Sequence, residues 1–260
     1  MAPALTLTGT RRNIVYRSYC QDVAVEKPDI SVIIPTFREA GNICLLVERI
    51  AQELRKTYEV IIVDDDSRDG IEDVVRTLQP QYPVSLKVRR SLPRDLSLSV
   101  LDGLSLARGE TLVVMDGDLS HPPEVIPRMV EEIRQQRADF VIGSRFIDGG
   151  SASFGWWRRL NAELSRWPAR LLVSVHDPLS GFFAFPRRLW HRDITLNPIG
   201  FKIGLELMVK LRPQNIRELP IVFENRGDGK SKLTLWERWK YLRHVARLLK
   251  FRYLSKQPLP

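Results

Sequence analysis

Two acidic clusters in this chain have the residue types and spacing to do chemistry. Asp116-Gly117-Asp118 follows the apolar run Val113-Val114-Met115, and Asp64-Asp65-Asp66 follows Val60-Ile61-Ile62-Val63. Side chains alternate between faces along a strand, but at its end the chain turns, and both Asp116 and Asp118 can then converge on one ion. Hard divalent cations prefer oxygen ligands, and magnesium commonly takes one or two carboxylates plus substrate phosphates. The competing reading is an acidic turn that caps the next helix. In Asp64-Asp65-Asp66 three neighbouring carboxylates repel one another and need a compensating cation or donor, unless the segment is a solvated Asx-type turn. Gly117 would let backbone approach a nucleoside closely.

Other strand ends carry similar groups. Pro35-Thr36-Phe37-Arg38-Glu39 combines an aromatic ring with a carboxylate, suited to a base or to capping the helix ahead of Gly41. Arg145 closes Gly143-Ser144-Arg145-Phe146. Asp177 either orients an acceptor or begins a turn before Pro178. Ligands of open α/β sheets gather at the carboxyl ends of strands, so polar groups at four such ends point to one site.

The elements that must position these residues alternate. Short β-branched runs at 30–34, 59–63, 84–88, 111–115 and 140–142 predict strands, with Pro35 stopping the first. Helical spacing predicts helices at 41–56, 71–79, 96–107 and 124–137. The fold class is therefore α/β, a mostly parallel sheet covered on both faces. Beyond residue 150 the pattern loosens: a Trp/Arg-rich helix over 155–174, a strand near 181–185, a helix at 201–211, a strand at 218–223, a polar loop at 224–231 and a basic helix at 234–253. Leu235, Trp236, Trp239, Leu242, Val245, Ala246, Leu249 and Tyr253 form an apolar stripe on that last helix. The expected organisation is an arm at 1–28, a catalytic domain at 29–232 and a basic amphipathic helix with its tail at 233–260.

The net charge of +9 on 260 residues favours anionic partners. Residues 226–256 hold ten Lys or Arg against Asp228 and Glu237. Trp and basic residues on one helix suit a membrane interface. The run of about 20 apolar residues that a span requires is not present, nor is a secretory signal. Cys20 and Cys44 have no metal-type spacing, which fits a reduced compartment. The expectation is a cytoplasmic protein peripherally attached to a membrane. No recognisable nucleic-acid reader motif accompanies the charge.

Taken in order, Pro35-Thr-Phe37-Arg-Glu39, Val63-Asp-Asp65, Met115-Asp-Gly-Asp-Leu-Ser-His-Pro122, Gly143-Ser-Arg145, Asp177-Pro-Leu-Ser-Gly181 and Arg226…Ser231-Lys232 resemble family-2 glycosyltransferases, most of all the dolichol- or polyprenol-phosphate mannose synthases. The resemblance implies a GT-A fold and Mg2+ or Mn2+ as cofactor. It places the nucleoside on Pro35, Phe37, Glu39, Val63 and Asp65, and nucleotide and sugar on Asp116 and Gly117. Asp118 becomes the principal metal ligand beside Asp116, and Arg145, Arg226 and Lys232 contact phosphates. Asp118, Arg145 and Asp177 are the implied catalytic set, with Arg158 and Arg159 holding the acceptor phosphate. Phe37 replaces the family's usual tyrosine, and Asp95-Leu-Ser-Leu-Ser99 stands where that family carries a glycine-rich stretch.

The implied activity is inverting transfer of mannose from GDP-mannose to a polyprenyl or dolichyl phosphate at the cytoplasmic membrane face, with or without a separate membrane subunit. The alternatives are a UDP-sugar donor such as UDP-glucose, a sugar nucleotidyltransferase, and a non-catalytic nucleotide-binding subunit.

Overall fold

The computed structural model describes residues 27–55, 57–90, 94–152, 166–190, 196, 202–223 and 235–254. Strands β1 (Ile30–Thr36), β2 (Tyr58–Asp64), β3 (Val84–Val88), β4 (Thr111–Val114) and β5 (Phe140–Ser144) alternate with helices α1 (Ala40–Glu53), α2 (Ile71–Leu78), α3 (Leu96–Leu106) and α4 (Ile126–Arg134). Two-residue β6 (Ser151–Ala152), then β7 (Phe183–Pro186), α5 (Ile203–Leu211), β8 (Ile216–Pro220), β9 (Val222–Phe223) and α6 (Leu235–Leu254) complete the described chain. Seven strands make one sheet in the order β3-β2-β1-β4-β7-β5-β8, and β6 pairs with β9. Only β7 runs antiparallel to its neighbours in that sheet.

Both faces of the sheet are buried, which explains the continuous apolar runs. Val32, Ile34, Val60 and Ile62 join Ile43, Leu46 and Ile50 of α1 in one core. Their alternates Ile33, Ile61 and Val63 join Leu104 of α3, Phe183, Phe185 and Leu207 of α5 in the other. Four apolar positions of α1, Ile43, Leu46, Val47 and Ile50, recur at helical spacing and are all buried.

Pro35 does not stop β1; the strand continues to Thr36, with Pro35 opposite Val63. A proline is tolerated here because the β4 ladder ends at Ile33–Val114, so no donor is needed on that flank. The helix expected at 124–137 begins instead with a 3₁₀ turn at Pro123–Val125. The expected strand at 218–223 is two strands, β8 and β9, in different sheets. Of the expected 155–174 helix, residues 155–165 lie outside the described residues, and residues 166–170 are helical.

The stripe on α6 divides. Val245 and Leu248 are buried in the second core, whereas Trp239, Leu242, Leu249 and Tyr253 are exposed. Arg252 Nη1 donates to the carbonyls of Leu171 and Leu172, which ties the helix to the segment bearing exposed Trp167 and Leu171. The side chains of Leu235 and Trp236 lie outside the described ones.

Candidate active site

The order of the sheet brings the carboxyl ends of β1, β2 and β4 side by side at the place where the winding direction reverses, the usual ligand edge of such a sheet. Register does the rest. Pro35 lies opposite Val63 and Thr36 opposite Asp64, and Met115 N–H donates to Ile33 O at 3.1 Å, so the residues after β1, β2 and β4 form one rim.

On the β2 side the repulsion among three acids is relieved by protein donors. Asp64 accepts from Thr36 Oγ1 (3.1 Å), Ser67 N (2.7 Å) and Ser67 Oγ. Asp65 accepts from Arg89 Nη1, from Ser99 Oγ at 2.9 Å and from Asp95 N at 3.0 Å. Asp66 pairs with Arg68 at 3.0 Å. Val63 is fully buried in the second core, so what it offers a ligand is backbone. Phe37 is partly buried, with the guanidinium of Arg94 4.5 Å from its ring centroid and that of Arg38 5.3 Å away. Glu39 is the N-cap of α1, and its Oε2 accepts from Asn42 Nδ2 at 2.7 Å.

On the β4 side, Asp118 Oδ1 accepts from Ser120 N (3.0 Å) and Ser120 Oγ (2.5 Å), a tight turn in which Leu119 takes φ 64°. Gly117 is required by a close approach within the protein: a Cβ there would meet Thr36 Cγ2 at 2.9 Å. The carboxylate of Asp116 retains 29% exposure. Its backbone N–H donates to His121 Nδ1 at 3.1 Å. His121 is buried between Phe182, stacked at 5.2 Å, and Phe223, edge-on at 5.6 Å. Burial, helped by nearby Arg145 and opposed by Asp177, pushes its pKa down to about 3. The ring is therefore neutral and serves as an acceptor.

The far wall comes from β5, β7 and β8. Arg145 makes a bidentate pair with Asp177, Nε to Oδ2 at 2.8 Å and Nη2 to Oδ1 at 2.9 Å, and its backbone N–H adds a third bond at 3.2 Å. Glu218 accepts from the backbone N–H groups of His176 (2.8 Å) and Asp177 (2.9 Å), so β8 sets the height of that loop. Ser180 Oγ donates to Gly143 O at 2.7 Å. Gly181 then lies against Asp116, where a Cβ would come within 3.3 Å of Oδ2.

Pro35, Phe37, Glu39, Asp65, Asp116, Gly117, Asp118, Arg145 and Asp177 thus line or support one edge. Arg158, Arg159, Arg226 and Lys232 lie outside the described residues. Arg89, Ser99, His121, Glu218 and Lys202 act on the same rim and were not singled out from the sequence. Ser99 and Lys202 stand at departures from ordinary local patterns, a polar residue in an apolar helix stripe and a lysine opening a helix. Those departures were the available signals.

Among the described residues no three His, Cys, Asp or Glu side chains gather as a metal cage. A hard cation on Asp116 and Asp118 would need further oxygens from water or substrate, the usual magnesium arrangement. The space left by Gly181 beside the Asp116 carboxylate, and a hydroxyl at Ser120, fit such a group.

Comparison with known proteins identifies the family. Residues 31–195 match the model for glycosyl transferase family 2. A protein of Pyrococcus furiosus named dolichol-phosphate mannosyltransferase is 39% identical over 85% of this chain, and the chain spans 64% of that relative's length. Proteins of the same name from Mycosarcoma maydis and Saccharomyces cerevisiae are 40% and 37% identical, over 87% and 86% of this chain and 81% and 88% of theirs. The fold is shared with glucosyl-3-phosphoglycerate synthase of Mycobacterium tuberculosis, solved with Mn2+, UDP-glucose and phosphoglyceric acid: TM-score 0.65, 19% identity, 85% of this chain and 80% of that one. With more than half its length matched by the family model and its GT-A architecture in place, the chain belongs to glycosyl transferase family 2.

Proposed function

We propose that this chain is an inverting, divalent-metal-dependent mannosyltransferase that moves mannose from GDP-mannose to a polyprenyl or dolichyl phosphate. The observation that carries this reading is identity of 37–40%, extending over 85–87% of the chain, to three proteins bearing one activity name. Pro35, Phe37, Glu39, Val63 and Asp65 hold the nucleoside. Asp116 and Gly117 contact nucleotide and sugar, and Asp118, with Asp116, binds Mg2+ or Mn2+. Mn2+ beside a sugar nucleotide in the M. tuberculosis structure of the same fold supports that choice of cofactor. Arg226 and Lys232 complete the phosphate contacts, and Arg158 and Arg159 receive the acceptor phosphate. The catalytic unit is residues 29–232, with the arm at 1–28 and the helix and tail at 233–260 flanking it.

The chemistry needs little proton management. A lipid monophosphate oxygen is already anionic near neutral pH, so Asp177, bound to Arg145 through both oxygens, is a positioning group rather than a base. The acceptor oxygen attacks the anomeric carbon as the bond from that carbon to the GDP oxygen breaks, which inverts the centre and releases GDP. A divalent cation, when bound, supplies neutralisation of the leaving diphosphate. Arg145 presents a planar donor held in place by Asp177 for the same charge.

Attachment to a membrane surface accounts for the outer face of α6. Trp239, Leu242, Leu249 and Tyr253 are exposed there, and Arg252 ties the helix to the segment bearing exposed Trp167 and Leu171. Arg243 and Lys250 flank them, each worth about 1 kcal/mol near anionic lipid. Among the described residues no helix is long and apolar enough to cross a membrane. This reading places the protein at the cytoplasmic face, with a separate membrane subunit as a further partner.

The test is transfer of radiolabelled mannose into organic-soluble lipid by purified protein. Asp118→Ala should lower turnover by about 10³-fold, the upper range for loss of one preorganised charge-stabilising group. Sustained transfer by that variant removes Asp118 from its role, and protection against heat by UDP but not GDP overturns the donor.

A further inference from the structure

A substrate phosphate carries more negative charge than one guanidinium already shared with a carboxylate can offset. Of the cations on the far wall, Arg145 is committed to Asp177 through two parallel bonds. Lys202 is a second cation on that wall without such a bonded partner. It is partly buried at the N-cap of α5, and among the described residues it makes no hydrogen bond or ion pair.

Local rules disfavour a lysine there. N-caps favour Ser, Thr, Asp or Asn, and the first turn of α5 has no side-chain cap. A cation at the amino end of a helix also opposes the macrodipole. Burial and Arg145 push the amine down to about 8, with Asp177 and Asp116 opposing. A position that violates capping, dipole and desolvation preferences together is where function is expected to override stability.

Packing shows which way the conflict points. A Cβ on Gly204 would meet Ser180 O at 3.1 Å, so the first turn of α5 is pressed onto the 177–181 loop. The same loop lies against the Asp116 carboxylate through Gly181. Lys202 is thereby held in the field of Asp116, Arg145 and Asp177 by a chain of close contacts.

We propose that Lys202 is a substrate-phosphate ligand, its ammonium binding an anionic oxygen of the nucleoside diphosphate or of the lipid monophosphate on the 177–181 side of the rim. This rests on the glycosyl-transfer reading above and adds a cation that reading did not contain. The residue is a charge-complementing contact, not a proton carrier.

The experiment uses the full chain with Lys202→Met, which keeps the stem and removes the charge, and Lys202→Arg, which restores it. Calorimetry with Mn2+ gives the Kd for GDP, and turnover in detergent gives the KM for polyprenyl phosphate. Lys202→Met should raise one of these constants by about tenfold, equal to about 1.4 kcal/mol, and Lys202→Arg should recover most of the loss. A raised GDP constant assigns the donor diphosphate, a raised acceptor KM the lipid phosphate.

Both constants within twofold of wild type, in a variant with an unchanged melting profile, overturn the proposal. If the methionine variant does not fold, Lys202→Gln is held to the same criterion. Inorganic pyrophosphate separates this inference from the mannosyltransferase reading. Pyrophosphate binding that depends on Lys202, in protein that ignores GDP, sinks that reading and keeps this one. Pyrophosphate binding that Lys202→Met leaves unchanged, where GDP also binds unchanged and acceptor KM is normal, sinks this one.

Discussion

Two carboxylate–guanidinium pairs, Asp65–Arg89 and Asp177–Arg145, stand on opposite walls of the rim and are built with opposite polarity. In the first the arginine is spent inside the protein: 3% exposed, it also reaches Asp102 at 3.0 Å, and its partner Asp65 is aimed by Ser99 and Asp95 N as well. In the second the acid is spent. Asp177 is fully buried and bonded through both oxygens, while Arg145 keeps 19% exposure and lies 5.2 Å from the Phe223 ring. One half of the site buries a cation to aim an acid, and the other buries an acid to aim a cation. A nucleoside offers N–H donors and a diphosphate offers anionic oxygens, so the two polarities suit the nucleoside and the diphosphate of the donor proposed above.

The comparison breaks most visibly at Asp65. Removing one partner of a buried pair leaves the other uncompensated and costs about 3–5 kcal/mol. Asp65→Ala should therefore show a loss of that size in urea unfolding, with binding lost largely through misfolding. A change under about 1 kcal/mol would mean Arg89 is satisfied by Asp102 alone. Asp177→Asn keeps shape and an acceptor, so its main effect should fall on function. Turnover should drop by about 10²-fold as Arg145 loses its aim, with a smaller loss of stability than in Asp65→Ala because Arg145 keeps partial access to solvent. The reverse pattern, normal turnover in a strongly destabilised protein, would make Asp177 a structural acid with no part in transfer.

The two walls were unequally legible in the sequence. Strand ends announce themselves, because a β-branched run followed by acids is a local pattern, and the rim at Asp65, Asp116 and Asp118 was readable for that reason. The far wall depends on β7 inserting antiparallel between β4 and β5, a long-range pairing that no local periodicity encodes. That pairing sets Gly181 against Asp116 and brings Lys202 near Arg145, so Lys202 was missed. His121 falls within an acidic-strand-end motif, yet its tie to the Asp116 backbone needs the buried stack with Phe182. Periodicity also found the stripe on α6 without showing that Val245 faces the core while Leu242 and Leu249 face outward.

A third buried pair tests whether α6 belongs energetically to the far wall. His244 of α6 and Glu206 of α5 are both fully buried, with Nε2 and Oε2 4.0 Å apart. Burial holds the imidazole pKa below its ordinary 6.5, opposed by Glu206 and reinforced by Arg247 and Lys210. The folded state then binds a proton less readily than the unfolded chain, so stability should fall as pH drops below about 6.5. His244→Phe should reduce the slope of urea-unfolding stability against pH in that range without abolishing it, because buried His121 contributes in the same direction. An unchanged slope would mean that α6 opens without exposing this pair.

The smallest effect should come from Ser99, where the chain departs from the glycine-rich stretch its motifs resemble. Asp95 caps α3 through Ser97 N and Leu98 N, and Ser99, one turn on, donates to Asp65 at 2.9 Å. In this chain these polar residues give a capped helix start that helps to aim an acid. Ser99→Ala deletes one donor of several and gains slightly in helix propensity. A loss of about 1 kcal/mol in stability is expected, with GDP affinity reduced by about threefold, or about 0.7 kcal/mol. If GDP affinity instead falls as far as in a folded Asp177 variant, the Asp65 wall is no more redundantly braced than the Asp177 wall, and the asymmetry between them disappears.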